Sequence, residues 1–153
     1  MSTTVKAFYR AVLEADVAAL EGLIDDGFRL ICPTRDHVLS GIYEGKSRFF
    51  NEVLPRVFSC VNPEEIAFCQ AHQIVVDAGE VVVAMAQNAG LAKSGERYDQ
   101  MYLHVFKVRA GKIVALIEGF DTALANRALW QSGDPLIPDH LPALSNLVQF
   151  QQA

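Results

Sequence analysis

After Pro63 the sequence changes its period. Four segments follow in close succession, IAFCQAHQIVV, EVVVAMAQNAG, YDQMYLHVFKV and KIVALIEGF, each with the alternation and β-branched content of a long strand. Their connections are short: DAG, a loop around KSG, and RAG. A three-residue loop with glycine last makes a type I turn closed by a bulge, so consecutive strands form one meander. Strands this long and this apolar need cover on both faces of their sheet, and that requirement governs the rest of the reading.

The residues before Pro63 supply one cover. Val5, Phe8, Val12 and Leu13 recur at helical spacing and predict a first helix from a Ser2 or Thr3 cap. Asp16 caps a second helix carrying Val17, Leu20, Leu23 and Ile24, which Gly27 ends. Residues 28–32 read as a strand stopping at Pro33, and TRDHVLSGIYEG as a loop. A third helix is expected over residues 46–58, kinked or divided by Pro55. A fourth, over residues 122–130, closes the domain. Beyond it lie the Pro-rich SGDPLIPDHLPAL and an amphipathic stretch with Leu144, Leu147 and Val148. Helices first and a meander after argue for an α+β fold. The expected organisation is a domain over residues 1–131 and a tail, 132–153, packing on that domain or on a partner subunit.

Composition removes several function classes. At 153 residues, 51% hydrophobic and 20% charged, the chain is long and apolar enough for a single cored domain. Its net charge of −5, with no run of Lys and Arg, argues against nucleic acid. No apolar run is long enough to cross a bilayer, and the N-terminus does not resemble a secretory signal. Cys32, Cys60 and Cys69 lack close pairing and fit reduced thiols, hence a cytoplasmic protein. His37, His72, His104 and His140 have no metal-ligand spacing, and no phosphate loop or nucleophile elbow is present, so neither metal nor cofactor is expected.

Glu118, near the end of the apolar run KIVALIEGFD, is the residue that asks for a function. An unpaired buried carboxylate costs several kcal/mol, so the fold must expose it, pair it or use it. If Arg109-Ala110-Gly111 is a three-residue loop, Tyr102 lies opposite Glu118 and His104 opposite Leu116. If Ser94-Gly95 is a two-residue turn, Gln87 lies opposite Tyr102 and Met85 opposite His104. Gln87, Tyr102 and Glu118 then form one row, with His104 a step away among Met85, Val83, Leu116 and Val114: a polar island on an apolar wall, as in a ligand pocket. The opposite face, with Ala86, Met101, Leu103, Val105, Ile113, Ala115 and Ile117, is also apolar and predicts a second subunit as its cover.

Three segments in order, FYRAVLEADVAALEGLIDDGFRL, GIYEGKSRFFNEV and YLHVFKVRAGKIVALIEGFDTALANRAL, resemble the nuclear transport factor 2-like superfamily, particularly its SnoaL-like small proteins. The resemblance implies a cone of three to four helices on the concave face of a strongly curved, mixed or antiparallel sheet. It also implies a pocket inside the cone and a homodimer through the convex face. The tyrosine, aspartate and acid of ketosteroid isomerases fall at Phe8, Cys32 and His104. The arginine and two aspartates of limonene-epoxide hydrolases fall at Met85, Gln87 and Glu118. The phenazine-biosynthesis A/B proteins carry a glutamic acid corresponding to Glu118, and their helix-three histidine and serine fall at Glu52 and Arg56. Only Glu118 is kept in kind.

The resulting assignment makes Glu118 the acid–base group, assisted by His104 and Tyr102. Gln87, Met85, Phe8, Val12, Leu116 and Phe106 are expected to touch the ligand, with Cys32 a small buried wall residue. Arg35, beside Asp36 and His37 in the loop after the first strand, stands where it could clamp an anionic group. The expected function is cofactor-independent isomerisation, cyclisation, dehydration or ring hydrolysis of an apolar cyclic or polyketide-like molecule. The alternatives are binding of a small molecule without chemistry and a protein-interaction module.

Overall fold

In a computed structural model, residues 1–35, 37–131, 133–141 and 145–153 are described. Helix α1 (Ser2–Leu13) starts after Met1 without a side-chain cap, while Ser2 N instead donates to the Asp77 carboxylate. Helix α2 (Val17–Leu23) is capped as expected, the Asp16 side chain accepting from Ala19 N. Strand β1 (Ile24–Cys32) begins earlier than the sequence suggested, running through Gly27. A short strand, β2 (Gly41–Glu44), lies where a loop was expected and pairs antiparallel with β1.

The expected third helix is divided. Helix α3 (Lys46–Arg48) passes into a π-helical turn, Phe49–Val53, and then α4 (Leu54–Phe58). Pro55 has no N–H to give the preceding turn, and its ring crowds the carbonyl four residues back; a widened turn accommodates both effects. The division turns Phe49, Val53, Leu54 and Val57 toward the interior.

Strands β3 (Val61–Ala78), β4 (Val81–Ala92), β5 (Met101–Arg109) and β6 (Lys112–Gly119) form the meander. The sheet order is β2-β1-β6-β5-β4-β3, with β1 and β6 parallel and every other pair antiparallel. The fold is thus α+β around one six-stranded mixed sheet. Bulges interrupt β3 three times, one around Cys69, whose φ is +52°. Opposite β3, Gly90 takes φ +145°, and a Cβ there would overlap Glu65 O and Ile66 Cα, so only glycine allows the two strands this approach.

Two turns correct the expected register. The β5–β6 hairpin has a two-residue turn, Ala110-Gly111, both at positive φ, with Arg109 opposite Lys112. A bulge then shifts the pairing, so His104, not Tyr102, faces Glu118, and Phe106 faces Leu116. The β4–β5 loop has the third residue instead: Ala92 N donates to Glu96 O around Lys93-Ser94-Gly95. Ala86 therefore pairs with Tyr102 and Ala84 with His104. This one-residue difference puts Gln87 and Met85 on the convex face and brings Ala86 into the core. The β6 bulge likewise turns Ile113 into the core.

Helix α5 (Thr122–Ala128) is capped by Asp121. The last helix, α6 (Ser145–Gln152), lies on the convex face beside β1 and β6. Lys107 Nζ donates to Phe150 O and Gln151 O, and Arg29 to Gln149 O, so two cations meet the negative end of the helix dipole. Between α5 and α6 the chain runs along β2: Ile42 N donates to His140 O, and Asp139 N to Ile42 O. Gly41, at φ +102°, leaves room for Pro138 and His140 there. The rest of the convex face stays open, with Met101 and Leu103 52% and 53% exposed. Leu144 and Asp36 lie outside the described residues.

Candidate active site

The concave face of β5 carries Tyr102, His104 and Phe106 in sequence, and β6 brings Glu118 and Leu116 beside them. From the opposite wall, α1 contributes Phe8 and Val12, and α4 contributes Leu54, Val57 and Phe58. These surfaces enclose a cavity of about 310 Å³. Its exposed border residues, Ala15, Asp16, Val17, Phe58 and Pro63, put the mouth between the α1–α2 turn and the start of β3.

A hydrogen-bonded chain ends at the cavity. Glu118 Oε1 lies 3.2 Å from His104 Nε2, and Tyr9 Oη lies 2.9 Å from His104 Nδ1. The carboxylate can only accept, so neutral His104 carries its proton on Nε2 and presents a lone pair at Nδ1, to which Tyr9 donates. Burial, the largest cause, and the nearby Cys69 and Glu118 push the Tyr9 phenol far above its ordinary value, so it stays a donor. Tyr9 is held by His72, whose ring stacks on it at 4.5 Å, and by Phe8 and Phe106 edge-on. The histidine side chain is 3% exposed and the carboxylate 23%, so the chain runs from the core to a group open to the cavity.

Tyr102 stacks on His104 at 5.2 Å and pairs its hydroxyl with Tyr98 Oη at 2.8 Å. It does not bond to Glu118, as the expected register had implied. Burial foremost, with Tyr98 and Glu118 adding to it, keeps Tyr102 protonated. When Tyr98 is the donor of that pair, the Tyr102 hydrogen is free for an oxygen in the cavity.

The structure thus brings Glu118, His104, Tyr102, Phe8, Val12 and Leu116 together around one cavity. Phe106 and Cys32 stand behind it in the core, and burial raises the Cys32 thiol well above its ordinary value. Gln87 is on the other face, its side chain donating to Asn88 O and Asp99 O. Met85 shares that face. Arg35 is exposed and outside the cavity. His37 turns inward against Phe120 and Trp130, and burial lowers its affinity for a proton.

Tyr9 was not anticipated, although the sequence held its signal: with Val5, Phe8 and Val12 it completes the i, i+3, i+4, i+7 stripe of α1. Cys69 also borders the cavity, brought there by the β3 bulge, with its thiol pushed up to about 12 by burial and then by Glu118. Among the described residues no cluster of His, Cys, Asp and Glu is arranged to hold a metal ion. Among the same residues no helix is long and apolar enough to cross a membrane.

The SnoaL-like domain family matches residues 5–116. The chain belongs to that family. Its fold is that of the nuclear transport factor 2-like superfamily, shared with solved structures of low identity. A protein of unknown function from Burkholderia pseudomallei is 20% identical over 84% of this chain and 95% of its own, with a TM-score of 0.70. A nuclear transport factor 2-like protein from Burkholderia thailandensis is 24% identical over 82% and 94%, also with a TM-score of 0.70. TerC, crystallised with polyporic acid, is 18% identical over 85% and 97%, again with a TM-score of 0.70. No curated protein matches the chain in sequence. The SnoaL-like fold here is a cone whose interior holds a pocket of small-molecule size.

Proposed function

We propose that this SnoaL-like protein is a cofactor-independent acid–base enzyme acting on a small, largely apolar cyclic molecule, with Glu118 as the proton acceptor. The supporting observation is the directed chain Tyr9–His104–Glu118 opening on an apolar cavity. In that chain Tyr9 is a positioning residue: it fixes the His104 tautomer, and His104 Nε2–H holds one carboxylate oxygen. The other oxygen of Glu118 takes a proton from a carbon next to an activating group. The C–H electron pair moves into the new double bond, Tyr102 donates to the group that receives charge, and Glu118 returns the proton elsewhere on the ligand. Isomerisation, cyclisation and dehydration share this first step.

Exchange of substrate hydrogen for deuterium tests the step without knowing the product. Cyclic ketones and enones are incubated with the protein in deuterium oxide and followed by proton NMR. The wild type accelerates loss of the acidic C–H signal and Glu118→Gln does not. A compound that binds beside Glu118 and exchanges no faster than in buffer refutes the enzyme reading. That outcome leaves the second one, a binding protein, which has its own support: both His104 nitrogens are engaged, so Glu118 has no second free acid–base nitrogen beside it. The open strip of convex face at Met101 and Leu103 supports a homodimer.

A further inference from the structure

Among the described residues, neither Lys nor Arg borders the cavity that Glu118 faces, and its one partner there is His104. Of the described residues bordering that cavity, only Asp16, Cys69, Tyr102, His104 and Glu118 are polar or ionisable. His104 offers a neutral N–H dipole when Tyr9 donates to it. Cations on and beside the sheet are occupied elsewhere: Arg29 pairs with Glu44, Arg48 with Glu52 and Asp139, Arg109 with Glu80, Lys112 donates to Gly22 O, and Lys107 holds the end of α6. The exposed mouth adds another carboxylate, Asp16. The charge of Glu118 is felt within the pocket, where it adds to burial, the largest cause, in raising Tyr9, Cys69 and Tyr102.

The walls have the complementary chemistry. Phe8, Phe49, Phe58 and Phe68 border the same cavity. Aromatic faces attract cations, most strongly where water is excluded. A carboxylate closing an aromatic-lined pocket repels an anion and is complementary to a cationic head on an apolar body.

We infer that the ligand of this pocket carries a cationic nitrogen, as a protonated amine or iminium, on an apolar cyclic body, drawn in by the charge of the Glu118 carboxylate while its free oxygen reaches the neighbouring carbon. The inference rests on Glu118 facing the cavity as an ionised group, the same premise as the acid–base reading, and it names the substrate class. It also fits the proton-transfer step. Removing a proton from the carbon next to an iminium breaks that C–H bond and forms a C=C bond. The C=N electrons become a nitrogen lone pair, leaving a neutral enamine beside a neutral carboxylic acid. A neutral ketone would instead develop an enolate, for which Tyr102 supplies a hydroxyl donor only when Tyr98 donates to it.

Calorimetry with three probes of one shape tests the inference: 2-naphthylmethylamine, 2-naphthylmethanol and 2-naphthoate, at neutral pH. The amine is expected to bind at least about tenfold more tightly than the alcohol, and naphthoate not at all. Glu118→Gln, nearly isosteric, lowers the amine to the affinity of the alcohol and leaves the alcohol unchanged, while Val12→Trp, which fills the cavity, abolishes both. Naphthoate binding as tightly as the amine, or an amine preference that survives Glu118→Gln, overturns the inference. Neither result touches the acid–base reading, which deuterium exchange decides. Absence of binding by all three probes overturns the small-molecule pocket and the inference with it.

Discussion

Tyr9→Phe separates one hydrogen bond from everything else that Tyr9 does. The phenyl ring keeps its contacts with His72, Phe8 and Phe106, at 4.5, 5.6 and 5.7 Å between ring centres, so no cavity larger than one oxygen results. What is lost is the donor to His104 Nδ1, inside a residue only 2% exposed. The lone pair left behind has no other partner among the described residues. Moving the proton to Nδ1 would turn the Nε2 lone pair toward the Glu118 carboxylate, so retautomerisation is no escape. A buried acceptor stripped of its donor costs about 1–3 kcal/mol. For a chain of this length a cost of about 2 kcal/mol lowers Tm by roughly 4–8 °C. Thermal unfolding followed by circular dichroism measures that cost, and nitrogen NMR of the histidine rings reads the tautomer. A Tm within about 1 °C of wild type, with His104 still protonated at Nε2, would refute the directed chain. Tyr98→Phe, which leaves the Tyr102 hydroxyl free to turn to the cavity, is the control and costs about 1 kcal/mol or less.

Gly90→Ala forces a Cβ against Glu65 O and Ile66 Cα at φ +145° and is expected to cost at least about 3 kcal/mol in urea unfolding; a neutral result would mean β3 can shift away. Iodoacetamide at pH 8 is expected to label the part-exposed Cys60 and to spare Cys32 and Cys69, both buried with raised pKa values, until urea is added. Mass spectrometry of the labelled peptides checks this, and labelling of Cys69 in the folded protein would contradict its enclosure. Leu103→Asp puts a charge in the middle of the open convex strip; light scattering is expected to show a wild-type dimer and a monomeric variant, and a monomeric wild type would remove the second subunit from the account.

The helices and the meander were legible because their apolar periods are long and unbroken, as in Val5-Phe8-Val12 and the run from Val81 to Ala86. The parity of β5 and β6 was legible too: a slip of two residues leaves Tyr102, His104 and Glu118 on one face, so the site survived an incorrect pairing. Turn chemistry was the weak point. Arg109-Ala110-Gly111 has the outward form of a three-residue loop, but Ala110 accepts φ +49° and tightens it, while Ser94-Gly95 takes in Lys93 and widens. A side chain's face depends on the odd or even sum of such details, which is why Gln87 and Met85 changed sides. Strand β2 is too short to show a period, and its partners come from β1 and the distant His140. Tyr9 shows in the sequence only as one member of the α1 stripe, and the resemblance assigns a role to its neighbour, Phe8.

The parallel pairing of β1 with β6 dictates the order in which this sheet can be assembled. Residues 24–31 find their inner partner only in residues 113–117, the last strand of the chain, whereas β3 through β6 are joined by short turns and can zip as local hairpins. During synthesis the amino-terminal helices and the β1–β2 pair must wait without their neighbour while the meander is made. The seam between β1 and β6 therefore closes after the meander is made, and with it Leu30 reaches Leu116 to complete the cavity wall. Any ligand that binds only the finished pocket therefore stabilises the chain with that seam closed.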